Sequence, residues 1–594
     1  MKHLVILSST DTDPDDARMS LFAELMGIRP EVFRVQHELD PRGMANRVGS
    51  ATCSVALNAV TLRYLYVALP PGATLWQFLG EQVQEILIYG LSVPEDIDEA
   101  LLMESHGAVA RSDERIPSPC SCSFPEDARE LSIQLARQTF PVRNADTIAS
   151  FEIRTKSNTE TIMAANGQPV FVRCRVGGRW LFLSAAPILD MNKAVTHVDG
   201  LRDEYLSLLP PLIFLRHCFP EGCWHNTEPA GRLIIDDPLL RKKYGALDFR
   251  DLTESMRRLG YGTSIAFIPW NYRRTSRRAA DQLLGRGSDL SICIHGCDHT
   301  NREFSSGAPQ LLAAKADLSM RRMDAHRRRV GRPFEDVMVF PQGRFSKASL
   351  PALRSANFLA AVNSTCFPTD SAPGDIKVAD LLWPAVNLFD GFPVFPRRYP
   401  KDAFGSAIDL FLGKPALLVE HHEYFRDHCR AIEDFIARLQ QIEPRLLWPN
   451  LTTLLTQSHV RRSFDHTTDI RFFTRRFQLV PREGDASHYR LSKLEPDPKA
   501  VARVIVEGKS IPFGFENGFI SLEIETEPRE TKQVEICYVA EPSRAIRSFG
   551  AAYQSRVLVR RTLSEFRDNT LSHHKGLLKV AKKLAKAMKA TAES

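Results

Sequence analysis

The sequence lacks long hydrophobic runs. No stretch approaches the roughly 20 consecutive apolar residues that a helix needs to cross a bilayer. The first residues, Met-Lys-His-Leu-Val-Ile-Leu-Ser-Ser-Thr-Asp, hold only a short apolar stretch and no small-residue cleavage site. This start predicts a first strand rather than a signal peptide. The 43% hydrophobic and 25% charged residues are those of an ordinary soluble protein.

Paired cysteines are also lacking. The eleven cysteines are scattered, odd in number and include no Cys-x-x-Cys motif. Such a pattern is typical of a cytosolic chain with reduced thiols. Together with the start of the chain, it predicts a cytoplasmic location.

Excess charge of one sign is absent from most of the chain. The net charge is +6, but residues 571–594 contain six Lys and one Glu, and residues 551–570 contain four Arg and two acids. The chain before residue 551 is therefore close to neutral. A nucleic-acid-binding protein would be expected to carry a broad basic face, so we predict no nucleic-acid partner.

The length of 594 residues predicts an α/β protein of several domains. We expect a Rossmann- or flavodoxin-like α/β domain at 1–225, a barrel at 226–455, a β-sandwich at 456–550 and a basic helical tail at 551–594. The sandwich is expected to pack as a spacer or to bind glycan. The pattern of residues 573–589 in this tail predicts a basic amphipathic helix. Such a helix is expected to lie on an anionic bilayer at the inner face of the membrane or to dock against a partner. An extra solvated helix is the alternative.

The first 225 residues alternate between strand and helix patterns. The absence of a Gly-x-Gly-x-x-Gly loop after the first strand gives no reason to predict a nucleotide. The predicted open α/β sheet has strands at 3–8, 31–36, 63–69, 84–89, 169–174 and 180–184, with a helix at 14–27 and a hairpin turn at Gly177-Gly178.

From Arg232 the strand–helix alternation becomes regular. The predicted strands are 232–237, 263–268, 289–294, 336–340, 358–362 and 416–420. The predicted helices are one after Asp248 that ends at Gly260, then 275–284, 308–330, one from about 347, and 428–442.

Four of these strands end in polar clusters. The clusters are Asp236-Asp237, His295 with His299, Pro341 to Arg344, and His421-His422. Each alone has an ordinary explanation, such as a helix cap, a surface coincidence or loop sequence. In a barrel of parallel strands, however, all four ends lie on one face.

One carboxylate and two imidazoles form a facial set for a divalent metal with open positions for water and substrate. Zn²⁺ suits this donor set, and a water bound to it becomes a nucleophile near neutral pH. The remaining acid can take the proton of that water, and a histidine on the opposite side can protonate a leaving amine.

These residues resemble the motifs of polysaccharide deacetylases with the NodB homology fold, carbohydrate esterase family 4. The resemblance rests on the Asp pair, His295-x-x-x-His299, Phe340-Pro-Gln-Gly343 and Leu-Val-Glu-His421, and covers about residues 230–450. It implies a distorted (β/α) barrel and the removal of an N- or O-acetyl group from a sugar.

The resemblance also implies roles for single residues. Asp236 is expected to be the general base, and His421 the general acid with His422 as the alternative. The implied metal ligands are Asp237, His295 and His299.

The sequence departs from the family pattern in two places. Pro238 follows the Asp pair where the family usually has Gly, and the family's usual Arg before the Pro of the third motif is absent. That Arg steadies the base, so Arg344 or Gln342 is the predicted substitute.

Further substrate contacts are predicted beside the strand ends. Trp270-Asn271 and Trp383 follow apolar runs, and aromatic rings stack on sugar faces, although a core or lid role is an equal alternative. With Gln342 and Arg344, they complete the predicted substrate-binding set. Cys297 is expected to be a packing residue rather than a thiolate ligand.

The predicted function is a metal-dependent deacetylase acting on an N-acetylated sugar or glycan intermediate in surface polysaccharide biosynthesis. An acetylated sugar is the expected partner and Zn²⁺ the expected cofactor. The alternatives are a catalytically silent carbohydrate-binding or scaffold protein that kept the barrel, and a metal hydrolase that cleaves another bond, such as a cyclic amide.

Overall fold

The computed structural model describes most of the chain, which forms two compact units. The first comprises Met1–His225, Pro373–Leu382 and Arg461–Asp469, and the second Asn226–Ala372, Trp383–Val460 and Ile470–Ser594. The described residues are 2–10, 13–35, 52–92, 96–143, 148–226, 228–285, 289–464, 466–482, 487–527, 529–539 and 549–570. The predicted tail helix at 573–589 lies outside them, and the four predicted domain ranges stay a prediction. No described helix is long and apolar enough to cross a membrane.

The first unit is a mixed α/β structure. Its strands are β1 (His3–Ser8), β2 (Pro30–Arg34), β3 (Cys53–Asn58), β4 (Val83–Tyr89), β5 (Val109–Ile116), β6 (Cys120–Ser123), β7 (Thr139–Val142), β8 (Ile148–Ile153), β9 (Thr159–Ala165), β10 (Gln168–Val176) and β11 (Arg179–Ser184). Its helices are α1 (Pro14–Leu25), α2 (Ala59–Ala68), α3 (Leu75–Leu79), α4 (Asp98–Glu104), α5 (Arg129–Ser132) and α6 (Tyr205–Cys218).

A nine-stranded sheet with the order β2-β1-β3-β4-β11-β10-β9-β6-β7 forms the centre of this unit. The neighbours from β2 to β11 pair in parallel, and those from β11 to β7 pair antiparallel. The parallel half agrees with the predicted open α/β sheet, and β10 and β11 form the predicted hairpin around Gly177-Gly178.

The predicted strand at 63–69 is wrong, because these residues lie in α2 and the loop after it. The Asn58 side chain caps α2 by accepting a hydrogen bond from the Thr61 amide at 2.7 Å. Leu62 and Leu65 are buried at helical spacing, whereas Val67 is 79% exposed. The Tyr and Val content suggested a strand, but capping and burial outweigh that weak propensity.

The second unit begins with a barrel. Its strands are β12 (Gly231–Asp236), β13 (Lys243–Tyr244), β14 (Leu247–Asp248), β15 (Thr263–Phe267), β16 (Leu290–His295), β17 (Val337–Val339), β18 (Ala360–Asn363), β19 (Val394–Pro396) and β20 (Ala416–His421). Its helices are α7 (Phe249–Leu259), α8 (Arg277–Leu283), α9 (Pro309–Val330), α10 (Ser349–Ser355), α11 (Ala403–Phe411) and α12 (Arg430–Ile442).

Seven of these strands form a nearly closed parallel sheet in the order β19-β18-β17-β16-β15-β12-β20. A parallel bridge between Arg398 and Leu418 brings its two edges together. The apolar run Leu233–Ile235 of β12 is fully buried, as expected for a strand covered on both faces. The carboxyl ends of the strands therefore share one mouth, which is where the predicted polar clusters fall.

The rest of the second unit is mainly β-structure. It contains α13 (Leu451–Gln457), β23 (Arg476–Leu479), β24 (His488–Leu494), β25 (Val501–Val506), β26 (Lys509–Ile511), β27 (Gly514–Glu516), β28 (Phe519–Glu525), β29 (Lys532–Tyr538) and α14 (Ala551–Asn569). The strands β21 (His459–Phe464) and β22 (Thr467–Phe472) belong to it only in part, because Arg461–Asp469 belong to the first unit. The run β22-β24-β28-β27 belongs to one sheet and β23-β29-β25-β26 forms another. Side chains of both sheets, such as Leu491 and Ile536, share one buried core.

Candidate active site

The first carboxylates of the site stand at the end of β12. Asp236 is the last residue of this strand and is 3% exposed. Asp237 follows with a φ of 83°, in the left-handed region that a residue with a side chain seldom adopts. The strand ends at this turn, and the two neighbouring acids contact different partners, Arg397 for Asp236 and His299 for Asp237. The two can therefore serve different purposes although they are adjacent in sequence.

The two histidines lie on the loop that follows β16. His295 ends the strand, and Gly296 turns the chain with a φ of 62°, where an added Cβ would lie 2.4 Å from Pro341. The buried carboxylate of Glu303 then accepts hydrogen bonds from the amides of Cys297, Asp298 and His299, at 2.9 to 3.1 Å. Three amide bonds to one carboxylate fix the loop, and with it the position of the His299 ring.

Asp237, His295 and His299 converge on one point. The Asp237 Oδ1 atom lies 3.5 Å from His295 Nε2 and 3.2 Å from His299 Nε2. Ligands about 2.0–2.2 Å from one tetrahedral ion are roughly 3.3 Å apart, so these spacings suit one shared metal ion. Asp237 Oδ1 is also buried without a hydrogen-bond partner among the described residues. A cation satisfies such an atom, and the donor set therefore fits the predicted metal.

The protonation states also fit metal binding. Burial lowers the pKa of His299 to about 4 and lowers that of His295, so both rings are neutral near pH 7. Burial would raise the pKa of Asp237, but His299, His295 and Arg561 hold it well below its ordinary range. His295 Nδ1 donates a hydrogen bond to the Val339 carbonyl at 3.0 Å. The proton is therefore on Nδ1, and the lone pair of Nε2, which faces Asp237, is free to bind a metal.

The predicted base, Asp236, is held by an arginine that the sequence analysis missed. Arg397 donates from both terminal nitrogens to the two carboxylate oxygens of Asp236, each at 2.7 Å, and the pair is buried. Burial would raise the pKa of Asp236, but Arg397 lowers it, so the acid is ionised. Arg397 thus makes the contact with the base that was predicted for Arg344 or Gln342, both of which are exposed.

Arg397 follows β19, which is one edge of the sheet, whereas Asp236 ends β12, the neighbour of the other edge strand β20. Its sequence signal is Val394-Phe-Pro-Arg397, a short apolar run that ends in a charged residue. This run is too short to be identified as a strand from the sequence, so the strand-end pattern that selected the Asp and His clusters did not reveal Arg397.

The two neighbouring histidines after β20 face different surroundings. His421 pairs with Asp236 in the strand register, and its partly exposed ring stacks on Tyr399 with the ring centres 6.5 Å apart. His422 is 5% exposed, and its Nε2 lies 3.7 Å from Asp568. Its ring packs against Gly245, where an added Cβ would lie 2.2 Å away. His421 thus stands beside the candidate base, whereas His422 is enclosed.

The predicted aromatic substrate contacts are divided between two places. Trp270 lines a cavity of about 570 Å³ together with Asp298 and Tyr553, beside the His299 loop. Its neighbour Asn271 is fully buried. Trp383 lies under the guanidinium of Arg471, 4.4 Å from its ring centre. Substrate contact by these residues stays a prediction.

The helix α14 lies across the site, which the sequence analysis did not predict. Tyr553 donates to Asp298 at 2.8 Å, and Arg560 donates to the carbonyl of His299 at 3.1 Å. Further along the helix, Glu565 pairs with Arg274, and Asp568 accepts from Tyr244 at 3.0 Å. Residues on three separate barrel loops thus contact one helix.

A second group of possible ligands consists of Cys297, Asp298 and Glu303. The amides of the loop already engage Glu303, and Arg322 and Tyr553 engage Asp298. Burial raises the pKa of Cys297 well above its ordinary value, which disfavours the thiolate that metal binding requires. This group holds the loop, and Cys297 is a packing residue, as predicted.

No protein-family model and no curated protein matches the chain. Solved structures do match. Agd3, described as a novel carbohydrate deacetylase, is 8% identical over 90% of this chain and 98% of its own, with a TM-score of 0.43. A family 4 carbohydrate esterase from Streptomyces lividans is 12% identical over 38% of this chain and 92% of its own (TM-score 0.24). A CE4 family pseudoenzyme from Bacillus anthracis is 11% identical over 39% of this chain and 66% of its own (TM-score 0.25). The chain resembles polysaccharide deacetylases of this family.

Proposed function

We propose that this protein is a metal-dependent deacetylase that removes an acetyl group from an N-acetylated sugar or glycan intermediate. The observation that carries the proposal is the joint position of two carboxylates with separate partners at one barrel mouth. Asp237 faces two neutral imidazoles, and Asp236 faces a guanidinium. One acid is thereby assigned to a metal and the other to proton transfer.

The proposed metal ligands are Asp237, His295 and His299. When bound there, Zn²⁺ supplies a Lewis acid for the acetyl carbonyl and lowers the pKa of a coordinated water. The chain contributes the preset geometry. The Val339 carbonyl fixes the His295 ring, and the Glu303 carboxylate fixes the loop that carries His299.

Asp236 is the proposed general base. Its bidentate contact with Arg397 keeps the carboxylate ionised and stops it from rotating, so that it can accept a proton at a defined position. A base must be close to the nucleophile without being a metal ligand itself. The separate contacts of the two acids support this division of roles, because Asp236 pairs with Arg397 and Asp237 lies beside the two histidines.

His421 is the proposed general acid. Its pairing with Asp236 in the sheet register places it at the mouth, and its ring is partly exposed. A histidine there can donate a proton to the leaving amine of the sugar. His422 is the weaker candidate, because its ring is enclosed between Gly245 and Asp568.

The proposal is tested by the release of acetate from a panel of N- and O-acetylated sugars, including nucleotide-linked and lipid-linked ones, with Zn²⁺ or a chelator present. We expect release that the chelator abolishes and Zn²⁺ restores. Asp236→Asn should retain the metal and lose turnover. His421→Ala should lower turnover, whereas the exposed His428→Ala should not.

Two outcomes would contradict the proposal. A protein that binds Zn²⁺ but releases acetate from no substrate is a silent carbohydrate-binding or scaffold protein, and a carbohydrate-binding assay on the same panel would identify it. Full activity in Asp236→Asn would remove the base assignment. The pathway, a surface polysaccharide assembly route, and the cytoplasmic location stay predictions from the sequence, to be tested by the preferred substrate and by cell fractionation.

A further inference from the structure

The helix α14 turns a polar face toward the barrel and an apolar face outward, which is the reverse of the usual arrangement in a protein helix. The side chains that face the barrel include Tyr553, Arg561 and Asp568, the last two buried at 2% and 5% exposure. The opposite face carries its larger apolar side chains. These are Leu558, Val559, Leu563 and Phe566, which are 54%, 59%, 63% and 53% exposed.

The inward face binds through polar contacts. Tyr553 bonds to Asp298, Arg560 to the His299 carbonyl, and Asp568 to Tyr244. Val557 is the one apolar residue of the helix that is buried. Because hydrogen bonds and ion pairs exchange readily for bonds to water, a helix held in this way can leave the barrel with little loss of apolar burial.

The inward face also lies against the loop that carries one of the proposed metal ligands, since Arg560 donates to the His299 carbonyl at 3.1 Å. The Arg561 Nε atom is buried without a hydrogen-bond partner among the described residues. The helix is also bonded to Tyr244 and Arg274, so it contacts loops that follow three strands of the barrel and occupies part of the mouth.

The outward face has the composition of a helix that lies on a lipid surface. At 100° per residue, Leu558, Phe566, Val559 and Leu563 fall within one stripe, and the exposed Arg556 and Arg567 border it. The chain that follows, residues 571–594, contains six lysines and one glutamate. An apolar stripe bordered by arginines and followed by lysines complements an anionic bilayer, where apolar side chains enter the interface and cations meet the headgroups.

We propose that α14 binds the surface of an anionic lipid bilayer through its outward apolar face, and that it leaves the mouth of the barrel when it does so. This inference rests on the proposed function, since it names the surface on which that site becomes accessible. The substrate of the proposed deacetylase would then be a glycan presented at a membrane.

The binding step is tested with full-length protein and vesicles of phosphatidylcholine alone or mixed with phosphatidylglycerol. Co-sedimentation should occur with the mixed vesicles only. Leu563→Ser/Phe566→Ser should weaken it by about tenfold or more. Phe515→Ser, which changes another exposed phenylalanine of the same unit, should leave it unchanged.

The uncovering step is tested by two readouts that need no substrate. Binding to mixed vesicles should speed hydrogen exchange in the loop Gly296–His299, and it should speed removal of bound Zn²⁺ by a chelator. In the absence of vesicles, Tyr553→Phe with Glu565→Gln should speed both, because each substitution removes a contact of the inward face. If the protein proves to be a deacetylase, acetate release should rise in the same conditions.

Three results would overturn the inference. Equal binding of the double serine variant would show that the apolar face is not the contact. Vesicle binding without faster exchange or metal removal would show that the helix stays in place. Self-association of the wild type that the serine variant abolishes, without vesicle binding, would assign the face to a second copy of the chain. Failure of acetate release alone would count against the proposed function and not against this surface.

Discussion

At the scale of single residues, Asp237 combines an unfavourable backbone with an unsatisfied side chain. Its φ of 83° suits Asn or Gly better than most residues, and its Oδ1 atom lacks a hydrogen-bond partner among the described residues. Neither feature helps folding. Both are what a preset metal ligand requires, because the carboxylate must be aimed and must keep a free lone pair.

The strain and the charge of Asp237 can be separated by two substitutions. In metal-free protein, Asp237→Asn should match the wild type in stability, whereas Asp237→Ala should be less stable than Asp237→Asn by about 1 kcal/mol, since Ala tolerates the left-handed region less well. Both should lose bound Zn²⁺, as should His295→Ala. Urea unfolding and metal analysis of the purified proteins measure the two effects. Equal metal content in all four proteins would refute the ligand assignment.

Substitution of Arg397 tests whether its guanidinium holds Asp236, the proposed base, in place. Arg397→Met leaves the Asp236 carboxylate buried without its partner and should lower the free energy of unfolding by about 3–5 kcal/mol. Turnover should fall sharply, and bound metal should be retained. Arg397→Lys should recover part of the stability, because one cation returns without the bidentate geometry. Retained activity in Arg397→Met would show that Asp236 does not need the guanidinium.

In the first unit, Glu104 should make stability depend on pH. Burial raises its pKa to about 7 from an ordinary 4.5, although the Leu75 amide donates to it at 2.8 Å. The folded state therefore binds this proton more tightly than the unfolded state does. The stabilisation is complete below about pH 4.5 and is lost as the pH rises to about 7, a change on the order of 3 kcal/mol.

Thermal melting from pH 4.5 to 8 measures this effect. Glu104→Gln keeps an acceptor for the Leu75 amide and should show a smaller loss of stability across that range. Identical pH profiles for the two proteins would show that Glu104 does not titrate there.

The predicted metal ligands share one property: each lies at the end of an apolar run long enough to be identified as a strand, or within four residues of that end. Asp237, His295 and His299 could be found in this way, and the structure brings them together. Arg397 could not, since β19 has three residues and ends in proline. Glu303, which fixes the His299 loop, follows no strand and gives no signal beyond its charge.

At the scale of elements, the barrel strands are held at their amino ends by a buried polar network. Arg232 donates to Ser264 and Ser291 at 3.0 and 2.7 Å, and both hydroxyls donate to Glu335 at 2.9 Å. Each of the three strand residues is the second of its strand, in β12, β15 and β16. The network therefore aligns neighbouring strands, and their carboxyl ends reach the mouth together.

Arg232→Met should disrupt that alignment. It leaves Glu335 buried without its cation and should cost about 3–5 kcal/mol of unfolding free energy in urea. The exposed Arg327→Met on α9 should change stability by less than about 0.5 kcal/mol. Adding Glu335→Gln to Arg232→Met should restore part of the loss. A double variant less stable than the single one would contradict the network.

Most barrel elements could be predicted because capping and periodicity agree in them. The helix α7 begins after Asp248, which accepts from the Arg250 amide at 2.9 Å, and it ends at Gly260 with a φ of 69°. The same signals were present at α2, where Asn58 is a capping residue, but the Tyr and Val content that follows favoured a strand. Local composition misleads where a cap and tertiary burial decide the structure.

At the scale of the whole molecule, metal binding should stabilise one unit and leave the other unchanged. All three proposed ligands belong to the unit that begins at Asn226. At a free Zn²⁺ concentration of 100 times Kd, binding contributes about 2.7 kcal/mol. Hydrogen exchange should slow at the ends of β12 and β16, and it should not change in β1 to β4. Slowing in β1 to β4 instead would place the metal elsewhere.

The position of α14 could not be predicted from the sequence. Its contacts join residues more than 250 positions apart, such as Tyr553 and Asp298, and no local pattern specifies such a pair. The exposed apolar stripe would even suggest the reverse orientation, with the leucines inward. Only the fold shows that the polar face is the one that meets the barrel.

The ion pair between Arg397 and Asp236 has a mechanical consequence for the barrel. The sheet edges β19 and β20 meet through two backbone hydrogen bonds, from Arg398 to Leu417 at 2.8 Å and from Val419 to Arg398 at 2.9 Å. The Arg397 side chain bonds to Asp236 on β12, the neighbour of β20, so it adds a side-chain link across the seam between β19 and β20. If this seam opened to admit a bulky ligand, the Arg397 guanidinium would move away from the Asp236 carboxylate. The motion that widens the entrance would therefore also remove the support of the proposed base.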